Sequence, residues 1–68
     1  MNFDQLEIIV EIAKTNSLTE AAKNKNLTVP ALSQSLAQLE RELGIVIFSR
    51  SRSGTFPTPE GRLIIENA

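Results

Sequence analysis

From Phe3 to Thr15 apolar residues recur at helical spacing, but they fall on two sides of the helix instead of one. Phe3, Leu6, Val10 and Ala13 share a face, and Ile9 flanks it. Ile8 and Ile12 point to nearly the opposite side. A surface helix needs a single apolar stripe. The spacing therefore predicts a core face built on Phe3, Leu6 and Val10, and a second packing partner for Ile8 and Ile12.

Asn16-Ser17 interrupts this pattern, and Ser17-x-x-Glu20 reads as a capping box. A second helix is expected through Thr19 to about Lys25, with Ala21 and Ala22 small enough for another helix to cross closely. Asn24 to Asn26 supplies a turn, and Leu27 is expected to plug the core between helices. Thr28 is a good N-cap, Pro30 falls in the first turn, and Leu32, Leu36, Leu39 and Leu43 form a buried stripe that ends at Gly44. The period then becomes extended. Ile45 to Phe48 predicts a strand, Ser49 to Gly54 ("SRSRSG") a polar turn, and Thr55 to Pro57 a short return strand. Thr58-Pro59 opens a final helix, expected to be still running at Ala68, with Leu63, Ile64 and Ile65 apolar. Three apolar residues in a row cannot all face one core, and the pattern stops unfinished, so the chain is expected to continue.

Two short helices joined by a tight turn and followed by a hairpin describe a mainly α winged helix-turn-helix: a three-helix core, a β-hairpin wing and a C-terminal helix. Residues 1–58 form that domain, and 59–68 begin the last helix. In such a fold the helix over about 28–43 enters the DNA major groove. Its outward side carries Pro30, Ser33, Gln34, Ala37 and Gln38, with no charge until Arg41. Glutamine and serine can read base edges, and apolar carbons suit the thymine methyl. Thr28, Ser33, Gln34 and Gln38 are thus candidate contacts to bases or nearby phosphates, with Val29 and Pro30 offering apolar contact. The same face also fits an ordinary polar helix side. In the wing, residues 49–54, Arg50 and Arg52 are candidates for phosphate or minor-groove contact; a solvated turn is the alternative. Lys23 and Lys25 are either backbone clamps or solvated lysines.

The chain has 68 residues, 41% of them hydrophobic, which suits one small domain. It has no Cys and no His, which excludes disulfides, zinc-finger-type sites and catalysis that depends on either residue. Glu40 and Glu42 point to different sides of their helix and form no catalytic pair, and Gly54 and Gly61 form no phosphate loop. No catalytic residue, metal site or cofactor is indicated. No apolar run has membrane-spanning length. The net charge of −1 and pI near 5.3 are unusual for a DNA-binding domain. The charge is polarised, however, with Asp4, Glu7 and Glu11 on the first helix and Arg41, Arg50 and Arg52 later in the chain.

The stretch "SLTEAAKNKNLTVPALSQSLAQLERELGIVIFSR", with Thr58-x-x-Gly61 and the opening Phe3-x-x-Leu6, resembles the N-terminal DNA-binding domain of LysR-type transcriptional regulators. The shared features are the S-L-T-x-A-A opening of the second helix, L-T-x-P-A-L-S, the L-E-x-x-L-G helix end and F-x-R. This resemblance implies a bacterial, cytoplasmic regulator, associated with the nucleoid when bound to double-stranded DNA. It implies a homodimer through the last helix, which would be the family's linker helix, and leaves open a higher oligomer in the full-length protein. A small-molecule effector would act only through a further domain absent from this chain. Where the family often carries Gln, Arg and a basic residue, this chain has Val29, Gln34 and Ala37. The recognition face is thus neutral, and the electrostatic burden shifts to Arg50, Arg52 and the lysines. The unplaced apolar residues Ile8, Ile12, Leu63, Ile64 and Ile65 are the expected dimerisation surface. A winged helix used for protein contact alone is the competing class, favoured by the acidic pI.

Overall fold

The computed structural model describes residues 2–67. Helix α1 spans Phe3–Thr15, α2 Leu18–Asn24 and α3 Val29–Leu43. Strands β1 (Phe48–Ser51) and β2 (Gly54–Pro57) form an antiparallel hairpin, and α4 spans Pro59–Glu66. The chain is therefore a mainly helical winged helix-turn-helix.

Local chemistry starts and stops these helices. Asn2 and Gln5 cap α1 reciprocally, each side chain accepting from the other's backbone N–H. The Ser17 hydroxyl accepts from the Glu20 N–H at 3.1 Å, that of Thr28 from the Ala31 N–H at 3.1 Å and that of Thr58 from the Gly61 N–H at 3.0 Å. Gly44 ends α3 in the left-handed region, at φ 71°. At α4 the structure carries the helix to Glu66, with Asn67 as its C-cap; the expectation for Ala68 lies outside the described residues.

The core reverses the expected orientation of α1. Ile8, Ile9 and Ile12 are buried with Ala21, Ala22, Leu32, Leu36, Leu39, Ile47 and Phe48. Phe3 is 73% exposed and Val10 36%, while Leu6 and Ala13 are half-buried. Both stripes satisfy helical spacing, but their neighbours differ. Glu7 and Lys14 lie beside Phe3 and Val10 on the helix surface, so packing that side inward would bury charge. On the isoleucine side Asp4 and Glu11 flank only Ile8, and Ile9 and Ile12 have no charged residue three or four positions away. Ile8 and Ile12 therefore belong to the chain's own core and are not available to a second chain.

Two leucines also depart from expectation. Leu27 is 38% exposed: the turn before it is closed by backbone hydrogen bonds to Ala21 and Ala22, not by a side-chain plug. Leu43 continues the buried stripe of α3 but is 39% exposed, in the last turn where the chain leaves the helix.

The hairpin is shifted along the sequence. Ile45 to Ile47 are not paired as a strand, although Ile47 is fully buried. Their backbone groups find other partners. The Glu40 carboxylate accepts from the Ile47 N–H at 2.7 Å and the Phe48 N–H at 3.3 Å. Thr58 donates to the carbonyls of Val46 and Ile47. The polar residues Ser49, Arg50 and Ser51 take the strand instead, and the turn shrinks to Arg52-Ser53. Arg50 lies opposite Thr55, and Ser51 opposite Gly54.

Candidate nucleic-acid interface

Helix α3 packs its leucines against α1 and α2 and presents the opposite side outward. Gln34, Gln38 and Arg41 are exposed there, with Ser33 and Ala37 half-buried beside them. At the start of α3, Thr28, Val29 and Pro30 are exposed, Val29 by 38%. The Thr28 oxygen is already engaged in capping α3. Pro30, Ser33, Gln34, Ala37, Gln38 and Arg41 follow one another at three- and four-residue intervals, so they form one continuous surface.

The wing stands next to that surface. Arg50 extends from β1 so that its Nη2 donates to Ser33 Oγ at 2.7 Å, joining wing and α3 across 17 positions of sequence. Arg52 is exposed at the turn. Between the wing and the start of α2 lies an open polar recess of about 560 Å³, whose lining includes Ser17, Thr19, Arg50, Arg52 and Ser53. Two arginines and several hydroxyls can all donate to phosphate oxygens.

Two residues without an assigned role in the sequence hold the wing in place. Asn16 ends α1 at φ 53°; its carbonyl accepts from the Thr55 N–H at 3.0 Å, and its amide donates to the Thr55 carbonyl at 3.2 Å. Glu40 ties α3 to the entry of β1 through the two bonds already described. An Asn at a helix end is a recognisable signal for a left-handed cap, but its partner 39 residues away is not. The two lysines divide. Lys23 is exposed, whereas Lys25 lies 3.7 Å from Glu7 on the α1 side.

Of the residues expected to pair chains, Leu63 is 62% exposed, whereas Ile64 and Ile65 are half-buried against the core. The exposed apolar stripe of α1 borders a recess of about 220 Å³ lined by Phe3, Leu6, Glu7, Val10, Glu11 and Lys25. Among the described residues no helix is long and apolar enough to cross a membrane.

The family model for bacterial regulatory helix-turn-helix proteins of the lysR family matches residues 3–62. The chain belongs to the lysR family. Its curated relatives include the HTH-type transcriptional regulator YcgK of Bacillus subtilis, 41% identical over the whole chain. They also include the nitrogen assimilation regulatory protein nac of Escherichia coli, 40% identical over the whole chain. The chain spans 21% and 22% of their respective lengths. Solved structures similar to this lysR-family chain include the BenM_DBD/catB site 1 DNA complex, at TM-score 0.92 and 31% identity, covering 98% of this chain and 75% of that one. The CbnR_DBD–DNA complex is similar at TM-score 0.91 and 30% identity, covering 98% and 77%. The winged helix-turn-helix fold is that of the DNA-binding domains of LysR-type regulators.

Proposed function

We propose that this lysR-family domain reads double-stranded DNA for a bacterial transcriptional regulator, in the cytoplasm and without catalysis. Helix α3 enters the major groove, and the wing meets the backbone or minor groove. The observation that carries this reading is the continuous, neutral, hydrogen-bonding face of α3 standing beside a wing with two arginines. A groove floor lined with base edges suits such a face better than a bulky charged one would. Fluorescence-anisotropy titration with mixed DNA fragments at two salt concentrations is the test. Affinity that falls steeply with salt supports phosphate contact. Absence of binding at low salt, even by the dimeric full-length protein, would leave a protein-contact module as the reading.

Two variants separate base reading from backbone contact. Gln34→Ala is expected to change the site recovered by selection, because a lost bidentate contact removes about 1–3 kcal/mol of discrimination. An identical selected site would remove Gln34 from base reading. Arg52→Ala is expected to weaken binding across sequences and to flatten the salt dependence by about one unit of slope. An unchanged slope would make the hairpin end a solvated turn.

The regulator is proposed to act as a homodimer through α4, the linker helix, which would place two copies of α3 about one DNA turn, or a multiple of it, apart. With Ile8 and Ile12 in the core, the exposed apolar residues that α1 and α4 offer a second copy are Leu63 and the Phe3–Val10 stripe. Sedimentation equilibrium of Leu63→Asp should show weaker association with the fold intact. Association equal to that of the parent would remove Leu63 from the interface. Any effector is proposed to bind a further domain outside this chain.

A further inference from the structure

We propose that Arg50 is a positioning residue that sets the hydrogen-bonding polarity of Ser33, and so decides which base edge Ser33 reads; this rests on the DNA-reading role of α3. A serine hydroxyl has one proton and two lone pairs, and its rotor turns to suit whatever stands before it. Left alone on a recognition helix, Ser33 would accept from adenine N6 or cytosine N4 as readily as it would donate to guanine O6, thymine O4 or a purine N7. The contact with Arg50 tilts that balance toward donation, because it fills one of the two lone pairs and sets a positive charge against any second donor. Nη2 of Arg50 lies 2.7 Å from Ser33 Oγ, and a guanidinium can only donate. One lone pair of Oγ is therefore occupied, and the hydroxyl proton must point away from the guanidinium. A cationic donor also polarises the O–H it binds, which strengthens the bond that hydroxyl donates onward.

The fold holds the backbones of the two residues near each other. Ser33 is half-buried one turn past the cap of α3. Arg50 sits opposite Thr55 in a hairpin whose Thr55 is clamped by Asn16. Glu40 secures the same hairpin to α3 from its other end. Hence the backbone of Arg50 stays within side-chain reach of Ser33. The consequence for specificity is that Ser33 favours donation. On the strand it faces it prefers a base with an acceptor edge over cytosine, whose major-groove edge offers the N4 donor.

Binding-site selection with the protein and with Ser33→Ala, Arg50→Ala, Arg50→Met, Arg50→Lys and the Ser33→Ala/Arg50→Ala pair tests this. Ser33→Ala and Arg50→Ala should relax preference at the same base pair, each by about five- to tenfold, and the double variant should lose no more than either alone. Arg50→Met keeps the stem without the donor and should behave as Arg50→Ala does, which secures the comparison if the alanine variant fails to fold. Arg50→Lys, a shorter cationic donor, should restore part of the preference. A loss of affinity equal at all sites, with the Ser33 position unchanged, would make Arg50 a phosphate contact and overturn the proposal while leaving DNA reading intact. Additive losses in the double variant would overturn it too. A parent protein that binds no DNA at low salt would overturn both.

Discussion

Replacing Gly61 by Ala is expected to destabilise the domain by about 3 kcal/mol, although the same change in most helices stabilises by up to about 1 kcal/mol. The sign reverses because of where α4 lands. A Cβ on Gly61 would lie 2.0 Å from the Ile47 carbonyl oxygen and 2.9 Å from its carbonyl carbon. Those are backbone atoms, so no side chain can swing aside. Nor can α4 lift away at small cost. The Thr58 N–H donates to that same Ile47 carbonyl at 2.9 Å, and the Thr58 hydroxyl binds the carbonyls of Val46 and Ile47 while capping α4. Making room for one methyl group means breaking this joint. For a domain of 60 to 100 residues each kcal/mol shifts Tm by about 4–8 °C, so a fall of about 12–24 °C is expected by circular dichroism. A Tm equal to or above that of the parent would show that α4 does not press on Ile47 in solution.

Ile12→Asp is expected to unfold the domain at 25 °C, whereas Phe3→Asp should leave a folded protein. Ile12 is fully buried, among the isoleucines of α1 and the leucines of α3. Truncating such a side chain costs about 2–5 kcal/mol. Burying a carboxylate with no cation beside it adds several kcal/mol more. Native domains are stable by about 5–15 kcal/mol, and a chain of 68 residues belongs at the low end of that range. Phe3 is 73% exposed, so an aspartate there stays hydrated. Urea titrations of the two variants read the difference. A cooperative unfolding transition for Ile12→Asp would mean that the isoleucine face is not the core, and would return Ile8 and Ile12 to an interface.

The helix ends were legible from the chain alone because their determinants are local. Ser17, Thr28 and Thr58 each cap a backbone N–H three residues away, and Gly44 closes the helix it follows. Local hydrogen bonds of this kind leave a signature in any short window of sequence. The same holds for the outer face of α3, whose neutral residues share a side simply through helical spacing. Order of elements and the candidate reading face follow from these, and with them the winged helix-turn-helix.

Which side of α1 turns inward does not follow from periodicity, since two apolar stripes fit the same period and charged residues flank both, Glu7 and Lys14 on one side and Asp4 and Glu11 on the other. Strand position departs from the apolar pattern for a related reason. Ile45 to Phe48 has β-forming side chains, but a strand also needs a partner for its backbone, and there Glu40 and Thr58 supply those partners first. Asn16 with Thr55, Gly61 with Ile47 and Arg50 with Ser33 are pairs separated by 39, 14 and 17 positions respectively. No periodicity links residues so far apart. The sequence by itself determined where helices begin and end and which groups line the outer face of α3, because those depend on neighbours within a turn or two. Only the tertiary structure decided which hydrophobic face is core, where the wing pairs and what holds it against α3, because those depend on contacts that exist only once the chain has closed on itself.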